Sequence, residues 1–187
     1  MTKIIHVLLL SICLTAAATP TFTNQGFSFR EWVEEIITHP TGKHLSAEEA
    51  IASWYAFPFR DSYTNSARPG SVFERLGDPA TCNEQGKLSA PIPDAVTCIM
   101  QLAAKGTEFC PTNGNATYCQ FGAAVIEGTS KDGQQLNSYC NDLARGAGYV
   151  MDSCSRADNT VEGAGYVEGN GDILLRIHSP DGVGRMK

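Results

Sequence analysis

The stretch "YCQFGAAVIEG", residues 118–128, decides the fold. By the two-residue period of a strand, Cys119, Phe121, Ala123 and Val125 share one face, with Gln120 and Gly122 opposite. The cysteine therefore points with the apolar residues. A reactive thiol needs an electropositive, partly exposed setting, and no Lys, Arg or His lies within the stretch. The segment thus predicts a strand stapled to the core by a buried disulfide, provided that the chain oxidises.

Two features of the sequence place it where thiols oxidise. Residues 1–18 read as a secretory signal: Lys3 is a charged n-region, Ile4 to Leu14 an apolar h-region too short to span a bilayer, and Ala16-Ala17-Ala18 a small-residue cleavage site. Removing it takes Cys13 away and leaves Cys82, Cys98, Cys110, Cys119, Cys140 and Cys154. This even set in a secreted chain reads as three disulfides. No Cys-x-x-Cys pair occurs, so neither a metal nor another cofactor is expected. The sequon Asn115-Ala116-Thr117 fits the same route and makes Asn115 a candidate glycosylation site.

Charge narrows the partners. Losing Lys3 takes the 14 basic residues to 13 against 20 acidic ones, a net charge of −7 with histidine neutral. A polyanion is repelled by such a chain, and no Lys/Arg cluster offsets this locally. Nucleic acid and membrane insertion are therefore not expected; an extracellular protein or glycan is. The sequence leaves the oligomeric state open.

All six retained cysteines follow residue 81, which divides the chain. Residues 19–64 predict a helical N-terminal arm or propeptide. In "SFREWVEEIITHP", Phe29, Trp32, Val33, Ile36 and Ile37 repeat at helical spacing behind a Ser28/Glu31 capping box; "HLSAEEAIASWYAFPF" repeats the device with Ser46/Glu49, Ala50, Ile51 and Trp54. Residues 65–79 mix Pro, Gly and Ser and read as a linker. Residues 80–180 form the stapled domain and 181–187 a flexible tail.

Within the stapled part, "DAVTCIMQLAAK" predicts a helix from Asp94 to Gly106, and "CPTNGNATYC" a turn between cysteines. "NSYCNDLARGAGYVMDSC" has helical spacing, and its Gly146 and Gly148 predict close packing on a sheet or a local break. On a continuous helix Cys140 and Cys154 lie about 21 Å apart, far beyond the roughly 7 Å of bridged Cα atoms, so they cannot pair. The tail predicts a strand with Ile173, Leu175 and Ile177 on one face and Leu174, Arg176 and His178 on the other. Asn170-Gly171 is a two-residue hairpin signal that would set Tyr166 against Leu175 but Glu168 against Ile173, and a wider loop is the alternative. The fold class is α+β: a small disulfide-stapled two-layer α/β sandwich, helices on a mainly antiparallel sheet, preceded by the arm.

No histidine sits in a Gly-x-Ser-x-Gly or His-Glu-x-x-His setting. A ribonuclease-like hydrolase would draw on His178, Arg176 and Glu127 or Glu168, and a glycosidase on Glu162, Glu168 and Asp172; core and solvated-hairpin roles compete with both.

The succession "YCQFGAAVIEGTS", "YCNDLARGAGYVMDSC", "GNGDILLRI" resembles small cysteine-rich secreted fungal proteins of the killer-toxin-like, necrosis-inducing effector group. That resemblance spans residues 115–179 and implies a secreted non-enzymatic effector or toxin-like protein that binds an extracellular target, with no catalytic residues. A second resemblance, to fungal glycan-binding lectins, implies Tyr149, Tyr166 and Asp172 as ligand-binding residues. The third expectation is the small secreted hydrolase. For a binding protein the loops 113–116, 129–135 and 162–172 are the expected recognition surface.

Overall fold

The computed structural model describes residues 26–56, 80–83, 87–167 and 169–180. The signal segment 1–18, the linker 65–79, the tail 181–187 and Glu168 lie outside these residues.

Two capped helices come first: α1 (Phe29–Thr38) and α2 (Ala47–Ala56). At α1 the Ser28 hydroxyl accepts from the Glu31 N–H at 3.2 Å. The second capping box is complete: the Glu49 N–H donates to Ser46 Oγ (3.2 Å) and the Ser46 N–H to Glu49 Oε2 (2.8 Å). Of the stripe on α1, Phe29, Trp32, Val33 and Ile36 are buried as the spacing predicts and Ile37 is partly buried, and Trp32 Nε1 donates to the Leu45 carbonyl at 2.9 Å, tying α1 to the run into α2.

The chain continues as β1 (Thr81–Cys82), β2 (Ala90–Pro91), α3 (Ile92–Ala104), β3 (Phe109–Asn113), β4 (Asn115–Phe121), β5 (Ala124–Ser130), β6 (Gln135–Tyr139), α4 (Cys140–Cys154), β7 (Thr160–Val161), β8 (Gly163–Val167) and β9 (Asn170–His178). Five strands make one antiparallel sheet in the order β1-β8-β9-β5-β4; β3 pairs with β6, and β2 with β7. One sheet face carries Ile126, Ile173, Leu175 and Ile177, all fully buried. α4 lies close on this face: a Cβ at Gly165 of β8 would come within 3.2 Å of Val150, tighter than side chains normally pack, while one at Gly146 of α4 would make an ordinary 3.5 Å contact with Val167 Cα. The fold is therefore α+β with helices on an antiparallel sheet, as the sequence predicts.

Three pairs of cysteines are bridged: Cys98–Cys119, Cys110–Cys140 and Cys82–Cys154. They tie α3 to β4, β3 to the start of α4, and edge strand β1 to its end. Cys140 and Cys154 take different partners, as the length of α4 requires.

Three expectations need correction. First, residues 118–128 form a hairpin rather than one strand: Phe121 pairs with Ala124 across a turn in which Gly122 takes φ +52°. Its determinant lies in α3. Asp94 accepts the Ala123 N–H at 2.8 Å, and a Cβ on Gly122 would strike the Asp94 carboxylate. Cys119 is buried on the helix side as expected, but Phe121 is exposed and Val125 lies on the opposite sheet face. Second, Asn170 and Gly171 belong to β9. The turn closes between Val167 and Asn170, with Gly169 at φ +76°, and a bulge after Tyr166 sets that residue against Leu174 instead of Leu175.

Third, the helical arm is no separate unit. Phe29, Trp32, Val33 and Ile36 share one hydrophobic core with α3, α4 and the sheet. α1 runs antiparallel to α4 and is fastened at two points. The partly buried Asp152 carboxylate accepts from Ser28 Oγ (2.6 Å) and from the N–H groups of Phe29 (2.7 Å) and Arg30 (3.1 Å), thereby capping the start of α1 from another helix. One turn or more along, Arg145 forks onto Glu34 (2.7 and 3.1 Å) and reaches Asp142 (2.7 Å); these carboxylates raise the Arg145 pKa above its usual value. Between the two, Gly148 faces the α1 backbone with room for no side chain: a Cβ there would lie 3.0 Å from Arg30 Cα.

Candidate functional site

The sheet face turned away from the helices gathers the hydrolase candidates. Register places Glu127 opposite Arg176 and Val125 opposite His178. His178 Nε2 lies 3.0 Å from Glu127 Oε1, and Lys87 Nζ approaches the same carboxylate at 3.5 Å. Arg176 Nη1 donates to Thr129 Oγ1 at 3.0 Å. Sequence reasoning brought together three of these residues and missed Lys87, whose approach depends on the Leu88–Ser179 bridge that lays residues 87–89 beside the end of β9.

The arrangement is closed around the ring. His178 is only 4% exposed, and its Nδ1 lies 2.7 Å from the Ser179 carbonyl, which can only accept, so Nδ1 carries a proton. Nε2 faces Glu127 without an aligned hydrogen bond and is shielded from solvent. Neither nitrogen is presented to a substrate, as a general acid or base must be. Of the carboxylates a glycosidase would use, Glu168 lies outside the described residues, and Glu162 and Asp172 are not brought together. Glu162 is buried next to the His178 end of β9, while Asp172 lies at the other end beside Lys131 (3.8 Å). About six residues of strand, roughly 20 Å, separate them, twice or more the separation that glycoside hydrolysis uses.

The three ligand-binding candidates are not brought together. Tyr149 lies on the helix side against Gly165, and its hydroxyl accepts the Ala80 N–H at 3.1 Å. Tyr166 is 41% exposed on the opposite sheet face. Asp172 lies near the Val167–Asn170 turn. It lines an open hollow of about 150 Å³ with Lys131, Asp132, Gln134 and Leu136, which unites parts of two of the expected recognition loops.

A surface that the sequence reading missed stands beside that hollow. Residues 110–113, read as a turn, and 137–139, read as the start of a helix, belong to the β3–β6 ribbon. Its inward side chains Cys110, Thr112 and Ser138 are buried, the Cys110–Cys140 bridge pins one end, and Thr112 shares a hydrogen bond with Tyr118, whose phenol pKa burial raises. Its outward side chains pair as Phe109–Tyr139, Pro111–Asn137 and Asn113–Gln135, all exposed. The two rings stack at 5.1 Å and 21°, with Phe109 67% and Tyr139 43% exposed. The signal was present in the sequence: FCPTN and QLNSY alternate aromatic, amide or proline with Cys, Thr, Leu or Ser, in mirror order on either side of the β4–β5 hairpin.

Asn115 begins β4 with its side chain exposed, and Thr117 of the sequon is exposed on the same strand, so a glycan there would meet no packing obstacle. Among the described residues no His, Cys, Asp and Glu side chains group as metal ligands, and no helix is long and apolar enough to cross a membrane.

No curated protein and no solved structure matches the chain. The family described as "Domain of unknown function (DUF8794)" matches residues 78–179, a span that holds every bridged cysteine and both surfaces described above but leaves out α1 and α2. With more than half of its 187 residues matched, the chain belongs to the DUF8794 family.

Proposed function

We propose that the protein is secreted and acts without catalysis, as an effector- or toxin-like protein that recognises an extracellular target. Three disulfides suit an oxidising compartment. The observation that carries the reading is the β3–β6 ribbon, whose six outward side chains face solvent on a backbone held by a bridge at one end. Exposed aromatics on a rigid element are a ready recognition surface, because little conformational entropy remains to be lost on binding.

The hydrolase is the second reading, favoured by the convergence of Glu127, Arg176 and His178 on one sheet face. Both are tested by applying purified protein to responsive cells. The Phe109→Ala/Tyr139→Ala double variant should lose most of the activity, and Glu127→Gln and His178→Gln should retain it, each variant being folded by circular dichroism. The opposite pattern would replace recognition with hydrolysis.

A further inference from the structure

We infer that the outer face of the β3–β6 ribbon binds a neutral oligosaccharide; this deepens the recognition reading above and rests on it. The face is a short strip with a division of labour along it. One end is the Phe109–Tyr139 stack, the middle is Pro111 with Asn137, and the far end is Asn113 with Gln135, about 14 Å away by strand rise. None of its outward residues is charged, in a chain whose formal net charge is −6.

Each element matches one feature of a pyranose chain. A pyranose presents a face of polarised C–H groups and a rim of hydroxyls. The negative π face of an aromatic ring attracts the C–H groups, and a carboxamide offers the rim both an acceptor and two donors. An uncharged strip neither repels nor requires charge in its ligand, which selects neutral sugars over sulfated or uronic acid polymers; the latter would also meet the protein's own negative field. A protein partner's apolar anchor would want a concave pocket, whereas this ribbon face is flat with its apolar part confined to one end. Past Asn113 and Gln135, the hollow lined by Lys131, Asp132, Gln134 and Asp172 adds polar groups where a longer chain would extend.

The test titrates the folded, signal-free protein by calorimetry with chitohexaose, cellohexaose, laminarihexaose and mannohexaose. At least one should bind saturably, with little dependence on salt. Phe109→Ala and Tyr139→Ala should each weaken that binding by about tenfold or more; Asn113→Ala and Gln135→Ala should weaken it less. Tyr166→Ala, which removes an exposed aromatic elsewhere, should leave it unchanged. Absence of binding to all four sugars overturns the inference, as does binding that survives loss of both ribbon aromatics or depends on Tyr166. If the ribbon variants lose activity on cells while the wild type binds no sugar, the partner is a protein: the oligosaccharide is refuted and surface recognition stands. Sugar binding that the ribbon variants abolish, with activity on cells unchanged, upholds the inference and refutes that recognition reading.

Discussion

Asp152 offers a perturbation whose sign can be worked out beforehand. Its carboxylate is partly buried between α4 and the start of α1, and its pKa is pushed up to about 6 from an ordinary 3.8, because desolvation outweighs the stabilisation from Ser28 and the N–H groups of Phe29 and Arg30. Between pH 4 and 6 the folded state holds this proton and the unfolded state has released it. Stability contributed by the group is thus fully present below about pH 4 and is lost as pH rises through 6, and a shift of roughly two units amounts to about 3 kcal/mol. Urea unfolding with the disulfides intact, at several pH values from 4 to 7.5, gives this quantity as the difference between wild type and Asp152→Asn, which cancels the other titrating groups. The wild type should lose about 3 kcal/mol against the variant across that range. A constant difference, or a wild type that gains as pH rises, would refute the reasoning: it would mean that the helix N-terminus holds Asp152 as a favoured anion, with desolvation the lesser effect.

Gly148→Ala should lower stability by about 1 kcal/mol or more in spite of alanine's better helix propensity, because the added Cβ meets α1 backbone rather than a flexible side chain; chemical denaturation reads the change. Replacing Cys82 and Cys154 by serine opens a 72-residue separation and should cost about 4 kcal/mol, against about 3 for the 21-residue separation of Cys98 and Cys119, an order that melting temperatures will check. A fragment starting at Asp78 lacks Phe29, Trp32, Val33 and Ile36, all at most 4% exposed in the whole protein; it should lose near-ultraviolet circular dichroism and bind hydrophobic dyes, and a cooperative melt like that of the full chain would show that α1 is dispensable.

What could be read in the sequence was what depends on neighbours in the chain. The caps and stripe of α1 and the impossibility of a Cys140–Cys154 bridge follow from local spacing, whereas Gly148, read as packing on a sheet, packs on α1. The failures have distant causes. The hairpin at Gly122 is held by Asp94, which accepts the Ala123 N–H from 29 residues away, and the alternation of small and apolar residues runs through the turn without a break. Docking of α1 depends on Asp152 and Arg145, polar positions on a helix whose apolar stripe alone marks a core face. His178 looks like a strand-end residue until the Leu88–Ser179 bridge lays a segment beside it. Among the site residues, the ribbon was missed because proline, amides and cysteines outweighed its two-residue period and read as a turn.

The cap on α1 also bears on the order in which the protein is made. The hydrogen bonds that Asp152 accepts from Ser28, Phe29 and Arg30 cross 124, 123 and 122 residues. Synthesis delivers α1 first and its outside cap only when most of the chain exists, and a ten-residue helix is marginal alone in water. Early in the life of the molecule, Phe29, Trp32 and Val33 have nowhere to hide. The N-terminal segment therefore lacks its docking surface until α4 has been made, and contacts of such long range make its docking a late step in folding. A chain built in this way keeps itself from maturing before it is complete.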